Sequence, residues 1–243
     1  MIADALGQQP VLARERLLDG RVWDVDAQEF ELGGERIRRE VIVHPGAVAV
    51  VALNDAGEVM LVHQYRHPAG GTLWELPAGL LDVHGEDPLE AAKRELAEET
   101  DLEARSWQTL IDVSTSGGGS TEIIRVYLAT DVHELADAFE RFHEEAEMER
   151  RWVPVDEIVE AALAMRLHNA TLLSAMLALT QLQERGGGAG GANDAGGAND
   201  AGAADDAGAS DGAGPASDVR AASPRVHAHP ADLPFDWHRP RQP

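Results

Sequence analysis

The chain has 243 residues, no cysteine and a formal net charge of -23 at pH 7, with 43 acidic against 20 basic side chains. The missing thiols exclude disulfides and thiolate metal sites, and the negative balance argues against a nucleic-acid-binding surface, which needs clustered Lys and Arg. No apolar run is long enough to span a membrane and Met1-Ile2-Ala3-Asp4 opens no signal peptide, so a cytoplasmic protein is expected.

Residues 11–44 read as strands, with β-rich runs at 21–30 and 36–44 parted by the turn signal Gly33-Gly34. Residues 47–53 read as a buried strand, Asn54 to Gly57 as a turn, and 59–65 as the returning strand of a hairpin. Arg66 stands at that strand end, before a Pro and a Gly-Gly pair. A guanidinium there suits bidentate phosphate binding; a surface ion pair is the alternative in so acidic a chain.

The next helix is well specified. Asp87 is the N-cap, Pro88 the first helical residue, and Glu90 completes a capping-box pattern. Leu89, Ala92 and Leu96 form the stripe that docks on a core, and Glu90 and Arg94 are spaced as an i,i+4 pair. Glu95, Glu98 and Glu99 then share one outward face. Hard oxygens crowded there suit Mg²⁺ or Mn²⁺; an ordinary salt-bridged surface helix is the alternative.

Residues 107–113 and 123–129 read as further strands, joined through Ser116-Gly-Gly-Gly-Ser-Thr-Glu122. An acidic run, Glu144 to Glu149, precedes Trp152-Val-Pro; by composition it is a solvated loop. Helices follow from Asp156 and over 169–185, the second with Leu172, Leu173, Met176, Leu177 and Leu179 as apolar positions. His44, His63, His67, His84, His133, His143 and His168 show no ligand spacing. From Gly186 a Gly-Gly-Ala-Asn-Asp-Ala repeat predicts a disordered coil, relieved only by Leu233, Phe235 and Trp237, which form a short terminal patch able to dock on the body or a partner.

The segment from Gly79 through Glu86, Arg94, Glu95, Glu98 and Glu99 to Asp101 resembles the Nudix box, G-x5-E-x7-R-E-U-x-E-E-x-G-U with U aliphatic. Gly79 lies one residue too far from Glu86, and Asp101 replaces the closing glycine. With Val62-His-Gln-Tyr-Arg-His67 and Trp74-Glu-Leu-Pro-Ala-Gly79, residues 17–183 are similar to the ADP-ribose pyrophosphatase branch of that family. The resemblance implies a Nudix α/β/α sandwich with a small N-terminal antiparallel β domain. The expected division is 1–45 for that dimerising domain, 46–185 for the catalytic domain and 186–243 for the disordered tail.

It also implies an activity: Mg²⁺-dependent, or Mn²⁺-dependent, hydrolysis of ADP-ribose to AMP and ribose 5-phosphate. Ala78 (through its carbonyl), Glu95, Glu99 and Glu147 would be metal ligands, with Glu98 holding a further ion. Glu145 would be the base, in a register shared with Glu144 and Glu149. Glu86 and Arg94 would brace the loop, and Arg66 and Glu122 would contact substrate; a plain strand-start carboxylate is the other reading of Glu122. Trp23 would stack on adenine in a homodimer, or pack in the core. Gly117 stands where relatives carry the Pro of Ser-Pro-Gly, which predicts a looser loop and a less certain preference for ADP-ribose. Other nucleoside diphosphate derivatives and oxidised nucleotides are the competing substrates. A nucleotide-sensing module without turnover is the competing class.

Overall fold

The computed structural model describes residues 2–136, 139 and 148–187. At the N-terminus β1 (Ala13–Leu18), β2 (Asp24–Leu32) and β3 (Glu35–Val43) form an antiparallel sheet in the order β1-β2-β3. Gly33 and Gly34, at φ 63° and 83°, close the β2–β3 hairpin with Leu32 opposite Glu35. A two-residue turn with both φ positive matches the strand twist and favours glycine twice. The sheet has an unusual polar interior: Asp26 is fully buried on β2, with Arg16 Nε 2.5 Å from its Oδ1 and Arg14 Nε 3.5 Å from its Oδ2.

The body is an α/β/α sandwich. β4 (Ala47–Ala52) lies between β7 (Ala78–Leu80) and β9 (Ile123–Glu134), with β8 (Leu102–Ser114) outside β9, giving the order β7-β4-β9-β8. β4 runs parallel to β9, Ala47 opposite Ile124 and Ala52 opposite Ala129. A second sheet sets β5 (Glu58–Arg66) between β10 (Glu149–Pro154) and β6 (Gly71–Glu75).

β4 contains only Ala and Val because both its faces are covered. Val48, Val50 and Ala52 meet Ala91, Ala92 and Leu96 of α1 (Pro88–Thr100). Ala49 and Val51 share the other core with Ile158 of α2 (Val155–Leu163) and with Leu172, Ala175, Met176 and Leu179 of α3 (Ala170–Gly187). The small residues at 91 and 92 bring α1 close to the sheet, so the carboxylates further along it reach the strand ends.

The hairpin expected of residues 47–65 is half present. Asn54 makes the turn, accepting Gly57 N–H at 3.0 Å, and Leu53 bridges to Val59. Beyond that bridge the strands part into different sheets. Both edges of β4 are already taken by β7 and β9, so β5 finds its partners in β6 and β10.

Candidate active site

The α1 helix takes the N-cap and proline its sequence predicts, with Glu90 turned to Lys93 instead of closing a capping box, and it ends by another route. Asp87 Oδ1 accepts Leu89 N–H at 2.8 Å, with Pro88 in the first turn. At the other end Asp101 takes the left-handed conformation, φ 57° and ψ 32°, and its N–H returns to Ala97 O at 3.0 Å. Aspartate tolerates this region better than most residues. Here it also gains contacts that glycine lacks: Oδ1 accepts Phe139 N–H at 2.8 Å and Oδ2 pairs with Arg150. Arg150 also donates to Thr100 O at 3.1 Å.

Two expectations about α1 need correction. Glu90 pairs with Lys93 at 2.7 Å, not with Arg94. Arg94 instead turns toward the preceding loop: its Nε and Nη2 each lie 3.1 Å from Glu86, and Nη1 reaches Glu95 at 2.6 Å and Glu98 at 3.2 Å. Hydrogen bonds to Glu86, then Glu95, hold its pKa above the ordinary arginine value, against the opposing effect of burial. Nor is the acidic face wholly outward. Glu99 is only 6% exposed, its Oε2 accepting Ala78 N–H at 2.9 Å.

The same approach explains Gly79. A Cβ there would lie 2.0 Å from Cδ and Oε1 of Glu95, so only glycine lets the carboxylate rest against β7. Glu86, Glu95 and Glu98 thus surround the single guanidinium of Arg94, while Glu99, also on α1, bonds to Ala78 of β7. Among the described residues no three His, Asp or Glu side chains stand ready as a metal cage. The donor set nevertheless fits a hard divalent cation: carboxylates in excess over their one arginine, beside the backbone edge at Ala78 and Gly79.

That edge opens on a cleft of about 460 Å³, within the range of small-molecule sites. Ala78, Gly79, Arg66, Glu75, Glu122 and Asn169 are among its lining. Arg66 donates to the buried Glu75 from Nε at 3.1 Å and from Nη2 at 2.7 Å, which fixes its guanidinium plane at the cleft. Asn169 accepts Leu172 N–H at 2.9 Å at the start of α3, so that N-terminus also borders the cleft.

Glu122 borders the cleft from the other side. Its Oε1 is 3.3 Å from His44 Nε2, and its Oε2 accepts the Thr115 hydroxyl. The loop before it is tied down despite three successive glycines. Gly119 and Ser120 N–H groups both donate to Ser116 O, and Ile42 N–H of β3 donates to Gly119 O at 2.8 Å. None of the three glycines takes a left-handed φ.

Trp23 is not part of the cleft lining, whereas its neighbour Val22 is; Trp23 is 42% exposed, so the single chain does not bury it as a core residue. Glu144, Glu145 and Glu147 lie outside the described residues, as do Leu233, Phe235 and Trp237. Glu149 begins β10, opposite His63. The sequence reading missed Glu75, Asn169 and the His44–Thr115 pair around Glu122. Glu75 stood inside the recognised Trp74–Gly79 segment, but its partner is nine residues away across a strand pair.

An α/β/α sandwich with an arginine-braced acidic helix at a strand edge is the architecture of a Nudix pyrophosphohydrolase. The chain belongs to the NUDIX domain family, whose model matches residues 43–175. It is 43% identical over 169 residues to the ADP-ribose pyrophosphatase of Mycobacterium tuberculosis, covering 69% of this chain and 81% of that protein. It is 36% identical over 154 residues to the ADP-ribose pyrophosphatase of Bacillus subtilis, 63% of this chain and 76% of that one. Its fold is similar to the crystal structure of an ADP compounds hydrolase, with a TM-score of 0.63 at 20% identity over 76% of this chain and 99% of that chain.

Proposed function

We propose that this enzyme hydrolyses the pyrophosphate linkage of ADP-ribose, giving AMP and ribose 5-phosphate, with Mg²⁺ as its ion and Mn²⁺ as a substitute. The observation that carries the reading is that Arg66, Glu122 and the Ala78–Gly79 edge line one cleft, with Glu95 and Glu99 resting against that edge. The relatives named above support the choice of substrate. Glu95, Glu99 and the Ala78 carbonyl would hold the metal, Glu98 a further ion, and Glu147 is assigned as another ligand. A divalent cation held there would supply charge neutralisation for the diphosphate and lower the pKa of a water.

The chain's own groups do the rest. Arg66, oriented by Glu75, grips a diphosphate oxygen, and the N-terminal N–H groups of α3 favour negative charge at the same cleft. Glu86 keeps Arg94 on the loop and so holds Glu95 against Gly79. A water oxygen attacks one phosphorus, the bridging P–O bond breaks, and the water proton passes to a base, which we assign to Glu145. Each product leaves as a monophosphate.

A second substrate reading rests on Gly117: without the proline of the relatives' loop, other nucleoside diphosphate derivatives remain candidates. One panel decides. ADP-ribose, NADH, diadenosine polyphosphates and 8-oxo-dGTP are offered with Mg²⁺ and with Mn²⁺, and products are identified by chromatography. The highest kcat/KM on ADP-ribose, with AMP and ribose 5-phosphate as products, is expected. No turnover of any substrate would replace the enzyme with a nucleotide-sensing module.

Residues 1–45 are assigned as a dimerisation domain and 46–185 as the catalytic domain. The exposed Leu12, Leu17, Leu18, Val22, Trp23 and Leu32 of the N-terminal region support a homodimer; sedimentation equilibrium should return twice the chain mass. In that dimer Trp23 would stack on adenine. The working compartment is assigned as the cytoplasm, which cell fractionation tests; no helix among the described residues is long and apolar enough to cross a membrane.

A further inference from the structure

His44 lies in the short connection between β3 and β4, where the N-terminal sheet meets the body. Its ring is wired on both sides. Gly46 N–H donates to Nδ1 at 3.1 Å, so in the neutral ring the proton sits on Nε2, which faces Glu122 Oε1 at 3.3 Å. The His44 side chain is only 11% exposed and that of Glu122 24%. The backbone repeats the connection: Thr121 N–H donates to Ile42 O at 2.9 Å, and His44 N–H to the Thr121 hydroxyl at 2.9 Å.

We propose that His44 is a positioning residue that aims Glu122 into the cleft as an acceptor for the hydroxyls of a sugar, selecting a nucleoside diphosphate sugar over one without that sugar. The inference rests on the pyrophosphatase reading above. Its chemistry follows from the charges. A carboxylate facing the diphosphate would repel it, whereas a vicinal diol offers O–H donors that two fixed carboxylate oxygens match. His44 and Thr115 each take one side of those oxygens, so the carboxylate plane is set before substrate arrives. β3 also holds the glycine-rich loop from outside, Ile42 N–H donating to Gly119 O.

Two isosteres separate the ring nitrogens. In His44→Asn the amide oxygen replaces Nδ1 and accepts Gly46 N–H, but the side chain falls short of Glu122. In His44→Gln the amide nitrogen reaches as far as Nε2 and donates to Glu122. Kinetics are measured on ADP-ribose and on the β-methyl ester of ADP, which keeps the diphosphate linkage and lacks the terminal sugar. His44→Asn should raise KM for ADP-ribose about tenfold, the usual weight of one hydrogen bond to a charged group. Its kcat should stay within about threefold, and KM for the methyl ester should not move. His44→Gln should stay close to wild type on both substrates. Glu122→Gln combined with His44→Asn should be no worse than Glu122→Gln alone, because the two residues act through one contact.

Equal KM losses on both substrates, additive losses in the double variant, or an unchanged KM in His44→Asn would each overturn the inference. A wild-type enzyme that turns over neither substrate would instead overturn the pyrophosphatase reading. Thermal melting of each variant accompanies the kinetics, and His44→Gln carries the test if His44→Asn does not fold: a tenfold KM increase in a folded His44→Gln also overturns it.

Discussion

Replacing Gly79 by alanine adds one methyl group where the structure has no room for it. The new Cβ would stand 2.0 Å from Cδ and Oε1 of Glu95 and 2.5 Å from its Cγ. Ordinary carbon contacts need about 3.5–4.0 Å, so the carboxylate must retreat by about 1.5 Å or more. The backbone does not object, since Gly79 has no left-handed φ. The obstacle is the far end of a flexible side chain, so the fold survives. The retreat loosens the 2.6 Å contact of Glu95 with Arg94, a partly exposed pair worth about 1 kcal/mol or less. Thermal stability should therefore change by only a few degrees. Catalysis should suffer far more, because a misplacement of about 1 Å costs about a hundredfold in rate. We expect kcat/KM on ADP-ribose to fall by about 10² or more, with a higher Mg²⁺ requirement. The assay is initial rate against Mg²⁺ concentration, alongside a melting curve. A folded Gly79→Ala enzyme within about threefold of wild type at every Mg²⁺ concentration would refute the placement of Glu95 in the metal site.

Glu99→Gln keeps an oxygen for Ala78 N–H and removes a charge; kcat should drop by about 10² or more with little change in melting temperature, measured by product release and calorimetry. Glu145→Gln should lower kcat more than it raises KM, and loss of turnover in Glu144→Gln or Glu149→Gln instead would move the base. Asp101→Gly restores the family's glycine and relieves the left-handed aspartate, but it deletes the ties to Phe139 and Arg150; we expect a net loss of about 1 kcal/mol by denaturant titration. Gly117→Pro should narrow the substrate range toward ADP-ribose, since the site has no positive φ and a Cβ there meets only Ser114 Oγ, at 3.3 Å; an unchanged order of kcat/KM across substrates would show that this loop does not select among them.

What the sequence displayed was local. A cap, a proline and three glutamates at helical spacing are set by residues within one or two turns, and α1 obeys them from Asp87 to Thr100. Gly33-Gly34 likewise specified its hairpin within four residues. Once the partner lay farther off, the pattern misled or was silent. Glu99 looked like a surface glutamate because its partner, the Ala78 N–H, is 21 residues away. Glu90 matched Arg94 by spacing, yet the loop offered Arg94 a bidentate carboxylate at Glu86, and two parallel bonds outweigh one exposed pair. His44 carried no signal, since its ring meets a glutamate 78 positions later, where the N-terminal sheet joins the body. β4 and β5 read as one hairpin because sequence spacing does not reveal which strand edges are already filled.

The distribution of charge in the cleft decides what must accompany the substrate. Arg66 lines the cleft, and it already gives two hydrogen bonds to Glu75, a buried carboxylate. Arg94 is bound among Glu86, Glu95 and Glu98 and is held in its charged form by them. Each of these two guanidiniums therefore brings a carboxylate with it, and among the described residues lining the cleft the further positive potential is the N-terminus of α3, worth a fraction of a unit charge. Against a protein of net charge -23, that is too little to draw in a diphosphate. The paired arginines serve geometry, fixing one guanidinium plane at the cleft and one carboxylate against Gly79. On the proposed mechanism, the charge that lets the anion enter would come from the divalent ions assigned to Glu95 and Glu99. Ion and substrate binding are then coupled, and each should tighten the other by the same factor.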